Sequence, residues 1–296
     1  MSKLTDKLKE RRVLVSDGAW GTFLYNKGLE PGECPDLWSA ERADDVLKIA
    51  QSYINAGADM IETNSFGASS VKLKDYGLEE RAEEINIAAA EISRKAAGDK
   101  IVLGSIGPTG KMLLMGDVTE QELYDAFFEQ ANSLLKGGAD AVCIETMMDP
   151  EEAVLAVKAS KDAGAEDIIC TFTFEPSKDG SYHTMMGTTP KAAAKAVLEA
   201  GATVIGANCG NGMQQMSGIV KELRESFPEA NILIQANAGL PVSDAEGNVV
   251  YPDSPEEMAE YAKEVIDAGA NIIGGCCGTT PAHIEKLRRA ADKLNG

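Results

Sequence analysis

Histidine is almost absent from this 296-residue chain: only His183 and His283 occur. Both read as surface or satisfied polar residues, one after the fifth predicted strand and one in the first turn of the last helix. A Ser/His/Asp triad is therefore poorly supported. Positive charge is also short, with 28 basic residues against 47 acidic ones and a net charge of −19. That excludes a nucleic-acid partner, which needs a basic footprint. No predicted strand ends in lysine, which counts against a Schiff-base aldolase. No apolar run approaches the length of a membrane span. The start, Met1-Ser-Lys-Leu-Thr-Asp-Lys7, has no apolar core of a signal peptide. The expected location is cytoplasmic, where thiols stay reduced. No G-x-G-x-x-G fingerprint follows the first strand, because Asp17-Gly-Ala-Trp-Gly-Thr22 is spaced differently.

What is present is ample core. Hydrophobic residues make up 44% of the chain and charged ones 25%, as in ordinary globular proteins. Acidic residues gather on predicted helices, as in 79–84 and 256–260, and read as a solvated outer face. A weak repeat runs throughout: Ala56-Gly-Ala, Gly137-Gly-Ala, Ala163-Gly-Ala, Ala200-Gly-Ala and Ala268-Gly-Ala each follow an amphipathic stretch and precede a β-branched run. The glycine suits a left-handed helix end, and the apolar run suits a strand buried on both faces. Strands are predicted near 13–16, 59–63, 101–105, 141–145, 167–173, 203–207, 232–236 and 271–275. Helix starts are announced by Asp149-Pro150, Thr189-Pro190, Ser254-Pro255 and Thr280-Pro281, and by a capping box of Thr119 with Glu122. Eight strand–helix units without a linker predict one (β/α)8 TIM barrel over residues 1–296, an α/β single domain. Segment 23–41 is long enough to cover part of the barrel mouth.

Chemistry in such barrels sits at the C-terminal strand ends. Asp17, Glu62, Glu145, Cys209, Asn237, Cys276 and Cys277 all fall there. Three thiols from two strand ends suit one soft metal with a fourth position open, the arrangement of a catalytic zinc. Three thiolates on Zn²⁺ leave a net charge of −1, which suits a thiol substrate and alkyl transfer to sulfur better than hydrolysis. Asp17, Glu62 and Glu145 can orient a cation such as an amino-acid ammonium. Each also reads as a rim hydrogen-bonding residue, and that is the preferred reading of Glu62 alone. Asn237 offers an amide oxygen or stabilises the turn into Pro241. Cys34 reads as a loop residue. Cys143, Cys170 and the pairs Met147-Met148 and Met185-Met186 read as packing.

Asp17-Gly-Ala-Trp-Gly-Thr22, Glu62-Thr-Asn-Ser-Phe66, Gly104-Ser-Ile-Gly-Pro-Thr-Gly110, Glu145-Thr146, Asn208-Cys209, Asn237-Ala-Gly239 and Gly274-Gly-Cys-Cys-Gly278 together resemble the homocysteine S-methyltransferase family. The likeness is greatest to the homocysteine-binding barrel of cobalamin-dependent methionine synthase, and it runs from about residue 10 to 292. It implies zinc held by Cys209, Cys276 and Cys277, with Asn237 as fourth ligand before substrate arrives. It implies homocysteine activated as a zinc-bound thiolate, with Asp17 and Glu145 near its amino group. Thr146 stands where the betaine-using branch has tyrosine, which disfavours a betaine donor. No Asp-x-His-x-x-Gly cobalamin signature occurs. The chain then reads as an excised domain or a free-standing enzyme. Methylcobalamin would come only through a separate corrinoid protein, unless a small donor such as S-methylmethionine serves. Two other readings stay open: a phosphate-binding barrel enzyme using 274–280 as its cradle, and a non-catalytic partner of a corrinoid protein.

Overall fold

Each of the eight apolar runs is a strand, and all eight are parallel. The computed structural model describes residues 2–10, 13–244, 247 and 249–295. The strands are β1 (Leu14–Val15), β2 (Met60–Glu62), β3 (Ile101–Ile106), β4 (Ala141–Met147), β5 (Ile168–Phe172), β6 (Val204–Gly212), β7 (Asn231–Asn237) and β8 (Ile272–Gly275). Their order is β1-β8-β7-β6-β5-β4-β3-β2, the single (β/α)8 barrel that the alternation predicts. β6 runs on to Gly212 instead of ending near 207, because its tail stays beside β7 as far as Asn237.

Between β1 and β2 the barrel is closed by aspartates. Asp59 N–H donates to Val15 O at 2.7 Å, and Asp59 Oδ2 accepts the Val15 N–H at 2.9 Å. Higher up, Asp17 Oδ2 accepts the Glu62 N–H at 3.0 Å. Side-chain carboxylates thus take backbone donors that a longer strand would have paired.

The repeat glycines end their helices at positive φ, for example Gly57 at 101° and Gly269 at 118°. Asp149, Thr189 and Ser254 cap the next helices as expected, and Thr119 with Glu122 forms its box. At Thr280 a different partner completes the helix start. His283 reaches back, its Nδ1 accepting the Thr280 N–H at 3.1 Å, while Nε2 meets Asp253 O at 3.0 Å. His283 is therefore the satisfied polar residue anticipated.

Inside the barrel, side chains recur with period two along each strand. Leu14, Met60, Leu103, Cys143, Ile169, Val204, Leu233 and Ile272 pack together as a dry layer. Each such side chain contributes roughly 1.5–3 kcal/mol on burial. The helix Lys3–Glu10 plugs the lower end, with Leu4 in that layer and Thr5 Oγ1 donating to Asp167 at 2.8 Å. Two residues further along the strands the set is Ser16, Glu62, Ser105, Glu145, Thr171, Gly206, Gln235 and Gly274. The interior therefore turns polar toward the C-terminal mouth. Gly206 is obligatory there, since a Cβ would lie 1.8 Å from Leu233 O. Segment 23–41 does reach the mouth, where Leu24, Pro35 and Asp36 line the central cavity.

Candidate active site

The tails of β6 and β8 bring the three thiols together. Past Asn208 the β6–β7 register breaks, and Cys209 takes a left-handed φ of 57°. The Cys276-Cys277 pair is clamped to β7: Cys276 N–H donates to Ala236 O at 2.7 Å and Cys277 O accepts the Ala238 N–H at 3.0 Å. The three Sγ atoms lie within 4.8 Å of one another, and Cys209 and Cys277 are 3.9 Å apart. Zn–S bonds of about 2.3 Å at tetrahedral angles put sulfurs ~3.8 Å apart. The Cys209–Cys277 spacing matches that geometry, and Cys276 lies within 4.8 Å of both. Among the described residues, no other group of three His, Cys, Asp or Glu side chains converges in this way.

Asn237 ends β7, between the two cysteine-bearing strands. It is 2% exposed, and its Oδ1 has no hydrogen-bond partner. An unsatisfied buried acceptor costs about 1–3 kcal/mol. Gln235 Oε1, two residues back on the same strand, is likewise unpartnered. Three soft donors and a neutral oxygen lacking a proton donor fit zinc. Within the cluster one thiol, Cys277, is favoured as thiolate. Hydrogen bonds from Cys209, then Cys276 and Tyr251, hold the Cys277 thiol well below the usual range, while hydrogen bonds with Cys209 and Cys277 push Cys276 up. Tyr251 was not foreseen, because it comes from the separate β7–β8 connection and packs on Gly278.

Carboxyls share the cavity, whose volume is about 400 Å³. Glu62 and Glu145 line it together with Trp20, Cys209, Cys276 and Cys277. Ser105 Oγ–H donates to Glu145 Oε1, and Gln235 Nε2 donates to Glu62 Oε1 at 2.8 Å. Asp17 lies behind the wall, fully buried, accepting from Trp20 Nε1 at 2.9 Å and Ser16 Oγ at 3.0 Å. Burial pushes the Glu145 carboxyl up to about 7 and the Asp17 carboxyl to about 6. Burial, then the charges of Glu145 and Asp17, raises Glu62 well above the usual range. Lys72 is the basic side chain lining the cavity, and its Nζ sits 3.3 Å from Asp75.

Other expectations resolve plainly. Cys34, Cys143 and Cys170 are buried. Met147 is buried, but Met185 is 72% exposed and Met186 40%, so that pair does not pack as expected. Its loop carries it out to the mouth. In the segment read as a phosphate cradle, the N–H groups of Gly275, Cys276, Thr279 and Thr280 donate to protein acceptors. Ser105, Gln235 and Asn208 were missed as site residues. Their signal was a polar side chain breaking an apolar strand at the inward-facing position.

Residues 14–291 match the family model described as homocysteine S-methyltransferase. The chain belongs to that family. Methionine synthase of Mycobacterium leprae is 34% identical over 306 residues, which is 96% of this chain and 25% of that protein. Methionine synthase of Mycobacterium tuberculosis is 34% identical over 312 residues, 98% of this chain and 25% of that one. This homocysteine S-methyltransferase family member thus spans about a quarter of the length of the curated relatives it matches. The metallated crystal structure of the homocysteine methyltransferase MmuM from Escherichia coli has the same fold, with a TM-score of 0.79, 24% identity, and 97% and 99% of the two chains covered.

Glu145 gives a pH test. Its folded pKa of about 7 lies above the ordinary 4.5, so the folded state holds its proton longer than the unfolded chain. Stability from this group is whole below pH 4.5 and is lost as pH rises through about 7. Glu145→Gln should match the metal-free parent at the acid end and exceed it by on the order of 2–3 kcal/mol at pH 8. Urea unfolding across that range checks it; a difference independent of pH would show that Glu145 carries no buried charge.

Proposed function

We propose that this barrel methylates homocysteine on sulfur, yielding methionine. The observation that carries the reading is three thiols converging in one cavity with two buried carboxyls. Cys209, Cys276, Cys277 and Asn237 would hold zinc, with Asn237 as the neutral and replaceable ligand. When bound, zinc lowers the pKa of a substrate thiol into the neutral range. Glu145 and Glu62 accept the substrate ammonium, whose arrival favours their ionised forms. Asp17 adds negative potential from behind and fixes Trp20 and the Glu62 backbone. The deprotonated sulfur bonds to the methyl carbon as the donor–carbon bond breaks, and the bonding pair leaves with the donor. A reducing compartment such as the cytoplasm would keep the three thiols free.

The donor we favour is a methylated corrinoid on a separate protein or module. Support comes from the rim of the mouth. Phe66, Leu114, Met115, Met185 and Val249 project from the loops after β2, β3, β5 and β7, between 42% and 79% exposed. Large apolar side chains at an opening suit a protein surface docked over it. The two relatives named methionine synthase are about four times longer than the stretch shared with this chain.

Each of Cys209→Ser, Cys276→Ser and Cys277→Ser should strip zinc from the purified protein and lower homocysteine methylation at least ~100-fold. Asn237→Ala should keep its zinc and change homocysteine affinity instead. Elemental analysis beside a methylation assay decides; a cysteine variant with full zinc and full turnover leaves the site. For the rim, Leu114→Ser with Met185→Ser should raise KM for a methylated corrinoid protein about tenfold, while free methylcobalamin serves as before. Equal effects on both donors would argue against docking there.

A further inference from the structure

Asn208 sits between the metal-side and substrate-side groups with every hydrogen-bonding capacity of its amide in use. It is fully buried. Its Oδ1 accepts the Thr146 N–H at 2.7 Å and the Thr171 Oγ1–H at 2.7 Å. Its Nδ2 donates to Thr146 Oγ1 at 2.7 Å and to Glu145 Oε2 at 3.4 Å. Its own carbonyl accepts from Thr173 Oγ1 at 3.0 Å. An amide has two donors and an acceptor oxygen with two lone pairs, so all four places are filled.

The backbone on both sides is strained. Among the described residues, Thr146 at φ 60° and Cys209 at φ 57° are the non-glycine residues at positive φ. Such conformations cost of order 1–3 kcal/mol each and need a surrounding structure that enforces them. Both lie where register is lost, β4–β5 between Ile144 and Met147 and β6–β7 between Asn208 and Gly212. The two irregular strand ends lie on either side of β5, and the Asn208 amide joins them past Thr171. One end carries Glu145 and the other Cys209.

We propose that Asn208 is a positioning residue that fixes the distance between Glu145 and Cys209, and thereby the length of thiol amino acid accepted. The inference rests on the functional reading above. A substrate whose ammonium meets Glu145 while its sulfur lies at the cysteines must span that distance with its carbon chain. Homocysteine has one methylene more than cysteine, so a fixed span discriminates between them. Aspartate at 208 would lose both N–H donors and set a second carboxylate against Glu145. Alanine would free both ends.

The test compares Asn208→Ala and Asn208→Asp with the parent, using free methylcobalamin as donor and homocysteine, cysteine and the des-amino analogue of homocysteine as acceptors. Asn208→Ala should keep zinc and raise KM for homocysteine roughly tenfold, the size of effect typical of residues that orient a ligating shell. Its KM for the des-amino analogue should not move, and its preference over cysteine should shrink. Asn208→Asp should be worse with homocysteine than Asn208→Ala. If Asn208→Ala folds poorly, adding Thr146→Gly should restore stability without restoring the preference. A crystal structure of the variant should show the Glu145 carboxylate displaced relative to Cys209. Equal losses for all three acceptors, loss of zinc, or an unmoved Glu145 would each overturn the proposal. A parent protein that methylates no thiol would instead sink the functional reading, and the crystal structure would still decide the geometry.

Discussion

Acidic groups gathered out of water at the barrel mouth are the constraint on which the rest of this structure depends. Glu62, Glu145 and Asp17 are buried within or behind one cavity, and burial holds their carboxyls above the ordinary range. The same cavity receives three cysteine sulfurs that share hydrogen bonds among themselves. A buried charge is tolerated only when paired. In the proposed function, a soft metal at the sulfurs and an ammonium at the carboxyls would pair these groups when they ionise. In that reading a thiol amino acid would supply the second and bring its sulfur to the first.

The fold is bent to present these groups. β1 and β2 are too short to pair along their length, and Asp59 and Asp17 supply the missing acceptors. Gly206 lets β7 approach closely enough for Gln235 to extend to Glu62. Beyond the regular sheet, β4 and β6 lose register where Glu145 and Cys209 must turn inward. Stability in the lower barrel, with its apolar layer and plugging helix, is what permits strain at the top.

Much of this was legible in the sequence. The Ala-Gly-Ala helix ends announced the strands, because a glycine and a β-branched run carry local signals. Cys209, Cys276 and Cys277 were readable because strand ends in a barrel share one rim. Asn208 was harder. Its importance lies in the left-handed backbone of Thr146, and a β-branched residue gives no sign of that conformation. Asp17 was placed at the rim, but its neighbours draw it behind the wall. Tyr251 reaches the sulfurs from a different connection, so no spacing could point to it. Met185 and Met186 follow the packing habit of methionine in composition only; their loop exposes them.

The proposed function requires Cys209, Cys276, Cys277 and Asn237 to form one metal site. Zinc-edge X-ray absorption on protein purified without substrate or added metal tests that directly. The expected result is zinc surrounded by three sulfurs and one oxygen. Absence of zinc after purification and reconstitution, or a zinc shell made of oxygen and nitrogen alone, would contradict it.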